Sequence, residues 1–188
     1  MSSKIRISTV ALALAAGVAV STSVFAEDAP ARVRGTLQKM DGNNLRSGHC
    51  GQQRRDVRHK DNTFVGITAM PQPDGTQAVE VHVFEEPLRG VGEGHYPWDL
   101  MANSTMTNGA VAQQVQKVEG NTLQVKYKDG EKTIVVPSDA EVVNLVAGGK
   151  ADLKTGAHVF IPRWEKQGDG TWQATVVVVG RDGITPPM

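Results

Sequence analysis

The 188-residue chain is short of several things, and each shortage excludes something. It holds one cysteine, Cys50, so no intramolecular disulfide can brace it and the fold must rest on its core. It has no excess of basic residues: Lys and Arg together number 20, as do Asp and Glu. A nucleic-acid partner is therefore not expected, since such proteins carry a basic patch. No apolar run reaches the ~20 residues a spanning helix needs. No Gly-x-Ser-x-Gly or His-Glu-x-x-His occurs, and Cys50 has no evident base partner outside its own stretch. With no nucleophile–base set to build on, the expectation is that the chain is not an enzyme.

What is present begins with a leader. Lys4 and Arg6 precede an apolar run from Thr9 to Val20, and Val24 and Ala26 supply small residues before Glu27. This is the layout of a cleavable secretory signal over residues 1–26, implying a periplasmic or secreted protein with no membrane insertion after cleavage. No Cys follows the cleavage site, so a lipid anchor is not expected. Removing Lys4 and Arg6 leaves 18 basic against 20 acidic residues.

The rest reads as all-β, with no convincing amphipathic helix. Short β-rich runs alternate with turn signals. Asp129-Gly130 between Gln124–Lys128 and Lys132–Val136 predicts a hairpin, and Asp74-Gly75 and Asp169-Gly170 mark similar turns. Thr171–Val179 ends in four valines, as a strand buried on both faces would. In Ala78–Phe84, Val79, Val81 and Val83 alternate with Glu80 and His82, which predicts one wet face carrying a surface ion pair. Lys150–Gly156 reads as one helical turn stopped by Gly156.

Two segments repeat. Leu37–Leu45 matches Val115–Leu123, and Gln72, Asp74, Gly75 and Thr76 match Gln167, Asp169, Gly170 and Thr171. The chain is thus expected to hold two copies of one β-unit. The second, 111–180, has the strand content of a small OB-type barrel. The first, 27–86, is truncated: 17 residues lie between Leu45 and Thr63, against 34 between Leu123 and His158. In place of the missing hairpin stands Arg46–Asn62, without periodicity. His49, Cys50 and His59 could ligate zinc or copper there. The preferred reading is the scar of a deletion with compensating frameshifts; a solvated loop is second and the metal site third. Residues 87–110 link the units, and 181–188 form a tail.

The run Ala151-Asp-Leu-Lys-Thr-Gly156, then Val159-Phe-Ile161, then Asp169-Gly-Thr-Trp-Gln-Ala174 resembles a bacterial exported domain of unknown function with an OB-like β-barrel, often present in tandem. The stretch Arg89–Asp99 with Ser104–Gly109 is similar to members from Gram-negative soil bacteria. The resemblance implies an exported tandem-barrel fold. It implies no activity, because that group has none to carry over.

The linker holds the candidate site. Gly90, Gly92 and Gly94 permit close backbone approach beside Arg89, Glu93, His95, Tyr96, Trp98 and Asp99. Such a mix offers stacking area with directional donors and acceptors. No helix opens after the glycines, so this is not a phosphate loop. The preferred reading of the stretch itself is an ordered strap, with Tyr96 and Trp98 plugging a barrel end and Arg89 paired to Glu93 or Asp99; ligand contact is second. A divalent metal held by Glu93, His95, Asp99 and perhaps His82 is a further option. Met101 and Met106 read as gap fillers. The expectation is a non-catalytic binding or scaffold module of the cell envelope, without a cofactor. Its partner would be an envelope protein or a small ligand. A metal-binding protein is second, and a product damaged by its broken repeat is third.

Overall fold

The computed structural model describes residues 32–38, 46–52, 61–117, 120–174 and 176–186. The expected signal, most of the first repeat segment and residues 53–60 lie outside them. Among the described residues the structure is all-β, with only 3₁₀ turns at Glu86–Leu88 and Lys150–Asp152. The strands are β1 (Val33–Thr36), β2 (Arg46–Gln52), β3 (Phe64–Gln72), β4 (Gly75–Phe84), β5 (Gly94–Pro97), β6 (Thr105–Lys117) and β7 (Gly120–Tyr127). They continue as β8 (Gly130–Pro137), β9 (Glu141–Gly148), β10 (His158–Ile161), β11 (Trp164–Lys166), β12 (Trp172–Ala174) and β13 (Val176–Gly180).

Eleven strands form one sheet in the order β1-β10-β13-β2-β9-β4-β3-β6-β7-β8, with β5 added beside β6. The parallel pairing Gln77↔Val135 joins β4 to β8 and closes β4-β3-β6-β7-β8 into a five-stranded barrel, consistent with an OB-like one. Its interior is aliphatic: Val65, Ile67, Val81, Val111, Leu123, Val125, Ile134 and Val136 are buried together. Two Asp-Gly signals mark hairpins, with the turn residues one position earlier than expected, at Pro73-Asp74 and Lys128-Asp129. Gln72 pairs with Gly75 across the β3–β4 turn, and Tyr127 with Gly130 across β7–β8. The expected helical turn is the 3₁₀ turn Lys150–Asp152, with Gly156 at φ +88° beyond it.

Strands from the two stretches expected as separate units interleave in this sheet: β3 and β4 complete the barrel of β6, β7 and β8, while β1 and β2 pair with β9, β10 and β13. Residues 105–110, read as linker, belong to β6, because that strand carries on from the barrel to hold β5. The aperiodic stretch also proves partly regular. β2 pairs antiparallel with β9 and parallel with β13. A ladder is made of backbone groups, so it forms without side-chain periodicity.

The wet face expected on β4 is not there. Glu80 is 2% exposed and His82 1%. Alternation does separate two faces, but both are covered. Val81 points into the barrel. Glu80, His82 and Phe84 point outward, and there the sheet continues through β9, β13 and β10 to form a second core of Val143, Leu145, Phe160 and Val178. A bulge adjusts the register: Thr68 faces Glu80 but Ala69 faces Ala78, which turns Ala78 inward past Val79.

Gly66 fits this crowded second layer because it has no side chain. A Cβ there would stand 2.6 Å from Asn108 Oδ1 and 3.0 Å from the Phe84 ring. Gly66→Ala is expected to lose about 1–3 kcal/mol of stability, the usual cost of overpacking. A urea titration with an unchanged midpoint would show that the layer yields freely.

Candidate functional site

The residues between β4 and β6 form an ordered strap. It leaves β4 through the 3₁₀ turn and passes the positive-φ glycines Gly90, Gly92 and Gly94. It then lies along β6 as β5, with Tyr96 opposite Met106 and Pro97 opposite Thr105. Trp98 N–H donates to Ser104 O at 2.8 Å, and the Ser104 hydroxyl bonds to the carbonyls of Met101 and Trp98, which fixes the return turn.

Alternation along β5 splits the expected site. Tyr96 turns toward the second core; its hydroxyl donates to Gly92 O at 3.2 Å and receives Asn108 Nδ2 at 3.4 Å. Burial pushes the phenol up from its ordinary value. Trp98 follows on the same side, 5.9 Å from the rings of both Tyr96 and Phe160. His95 faces away. It bonds to the Thr107 hydroxyl at 2.9 Å and stacks on Tyr127 at 6.2 Å. Burial, aided by Lys132, lowers its pKa.

Arg89 pairs with neither Glu93 nor Asp99. Its fork grips Glu86 at 2.6 and 2.8 Å and reaches Asn62 O at 2.7 Å. The i, i+3 spacing in the 3₁₀ turn favours this near partner. Glu93 is exposed at the strap's bend. Asp99 instead meets two arginines of β1 and its approach. Arg34 binds it through both nitrogens at 2.9 and 3.3 Å, and Arg32 lies 3.5 Å away. The Arg34 hydrogen bonds hold the Asp99 carboxyl below its usual range.

Three of the six residues therefore converge, Tyr96, Trp98 and Asp99, joined by residues the sequence reading missed: Arg32, Arg34 and Phe160. The Arg32 guanidinium lies 3.8 Å over the Trp98 ring, and Arg34 lies 5.1 Å from that of Phe160. Arginines two apart share one strand face, and that spacing was the readable signal. The metal set is not assembled, since His95, Asp99 and His82 each face different partners. Among the described residues, no three His, Cys, Asp or Glu are grouped to hold an ion.

Beneath this clasp lies the buried pair. Thr68 Oγ1 donates to Glu80 Oε1 at 2.6 Å, and His82 Nε2 lies 3.4 Å from the same oxygen. Burial pushes the Glu80 carboxyl up to about 8, with Thr68 and Arg34 opposing and Glu141 assisting. Among the described residues, three buried polar atoms, Trp98 Nε1, Asn108 Oδ1 and Thr122 Oγ1, have no hydrogen-bond partner.

No family model, curated protein or solved structure matches this chain, so no likeness points to catalysis.

Proposed function

We propose that this chain is an exported, non-catalytic binding module of the bacterial cell envelope, assembled from two OB-like repeat units that exchange strands. Its contact surface is the strap face made by Arg32, Arg34, Tyr96, Trp98 and Asp99. The observation that carries this reading is the Trp98 ring held between Arg32 and Phe160. Aromatic and arginine side chains supply most of the energy in recognition, provided they are held in place beforehand. Here one carboxylate, Asp99, serves two guanidiniums. The two guanidiniums, with the buried indole donor beside them, suit a ligand bearing a carboxylate or phosphate.

The test is a thermal melt of the exported chain with citrate, inorganic phosphate and an acidic dipeptide, beside divalent metals and EDTA. A ligand at 100 times its dissociation constant adds about 2.7 kcal/mol. At this size that raises Tm by about 5–10 °C. The expected result is such a rise with at least one anion, lost in Arg32→Gln. A melt blind to every anion rejects the reading. A rise with one metal instead, reversed by EDTA and lost in His95→Ala, favours a metal-binding protein.

A further inference from the structure

The clasp joins two strand edges through side chains. Among the described residues the sheet runs β5-β6-β3-β4-β9-β2-β13-β10-β1, with β5 paired only to β6 and β1 only to β10. Strands of this run carry the second core. Its two ends meet where Arg34 grips Asp99, just past β5, and where Arg32 covers Trp98. We propose that the outer edge of β1 takes an added strand: an extended segment of a partner protein, apolar on one face and carrying a carboxylate for Arg32 on the other. The proposal rests on the clasp's being the contact surface, and it names the partner that surface takes.

The two edges differ. Trp98 N–H donates to Ser104 O, so alternation turns Tyr96 to β6 and Pro97 to the outer side of β5. A proline there has no N–H to offer, a common guard on an edge strand. β1, Val33-Arg34-Gly35-Thr36, holds no proline. Leu37 N–H, next along the chain, donates to Ala157 O at 2.8 Å, which turns Gly35 to β10 as well and Thr36 outward. Thr36 is exposed, and a Cβ built on Gly35 meets nothing within 4 Å, so neither face of the strand is covered at this point. The faces of β1 specify the partner. Val33 and Leu37 lie on one side, against a third core that includes Val159, Ile161 and Val179. Arg32 and Arg34 lie on the other, over Trp98 and Phe160. An added strand continues both faces. Its apolar positions extend the third core, and its polar positions stand opposite Arg32, with Cβ atoms about 5 Å apart. A carboxylate there completes a charge-assisted pair beside the Trp98 ring, while Arg34 stays with Asp99. A second copy of β1 is the wrong partner, since it would set arginine against arginine.

The experiment uses the full chain and a short capped peptide of alternating threonine and valine with one aspartate at its centre. NMR follows hydrogen exchange at the β1 amides, and calorimetry follows affinity. Saturable binding is expected, with exchange slowed at Thr36. Replacing the aspartate by asparagine, or Arg32→Gln in the protein, should weaken binding about tenfold, the scale of one hydrogen bond to a charged group. N-methylating one alternate set of peptide amides should abolish binding, and N-methylating the other set should leave it unchanged, because only one set faces β1. No slowing at Thr36, equal binding of the two methylated peptides, or equal binding of the asparagine peptide each overturns the proposal. Citrate and phosphate separate it from the anion-binding reading. A chain that melts higher with these anions but binds no peptide keeps the anion site and loses the added strand. One that pairs with aspartate and asparagine peptides alike at Thr36, and ignores both anions, loses the anion site with it.

Discussion

Glu80→Gln is expected to abolish a steep loss of stability with rising pH and to leave the protein more stable than its parent at pH 8.5. The sign follows from the direction of the shift. The folded carboxyl titrates at about 8, against 4.5 when unfolded. Between those values the folded state holds a proton that the unfolded state has lost. Stability from this group is therefore fully present below about pH 4.5, falls through the window, and is gone above about pH 8. At ~1.4 kcal/mol per pH unit, the shift corresponds to about 5 kcal/mol between the two limits. That is a large part of a domain's typical total. Glutamine keeps the shape, and its amide oxygen can still accept the Thr68 hydroxyl, but it has no proton to lose. At pH 5 the two proteins should differ by about 1 kcal/mol or less, the scale of one rearranged hydrogen bond. At pH 8.5 the variant should lead by several kcal/mol. Urea melts at both values decide the matter. Parallel pH profiles would mean that Glu80 is ionised throughout, with His82 and Arg34 bearing its charge.

The same residue shows where sequence reading stops. Alternation along β4 correctly separated two faces, because that is fixed by the geometry of a single strand. It could not say what covers the second face, since β9, β13 and β10 are 60 or more residues further on. The Asp-Gly turns were legible for the opposite reason: the signal is local, although the turn residues prove to be Pro73-Asp74 and Lys128-Asp129, with each glycine opening the next strand. The interleaving of strands from residues 33–84 with those from 105–180 is a choice among long-range partners, and nothing local distinguishes them. At the strap, the aromatic and acidic members were visible as a cluster. Their partners Arg32, Arg34 and Phe160 lie on β1, its approach and β10, strands that reach the strap only through the sheet order. Arg89 was misassigned to Glu93 or Asp99 because the 3₁₀ turn that presents Glu86 to it was not foreseen.

Phe160 joins the clasp to the core, and its removal should cost more than that of any exposed strap residue. It is 1% exposed, lies among Val143, Leu145 and Val178, and carries Trp98 on its ring with Arg34 beyond. Phe160→Ala is expected to lose about 3–5 kcal/mol, the range for a buried aromatic. Tm should then fall by about 10 °C or more. Trp98 is half-buried, so Trp98→Ala should lose about 2 kcal/mol, less than the full aromatic value. Binding separates the two roles. Trp98→Ala removes a contact surface and should abolish anion-dependent stabilisation in a protein that still melts cooperatively. Phe160→Leu refills most of the cavity and should recover most of the stability. Without the flat ring beneath Arg34 and Trp98, however, it should recover only part of the binding. If Phe160→Leu restores both in full, the ring is packing alone and the clasp does not depend on it. If Phe160→Ala costs about 1 kcal/mol or less, the second layer is too loosely packed to hold Trp98 in place for a ligand.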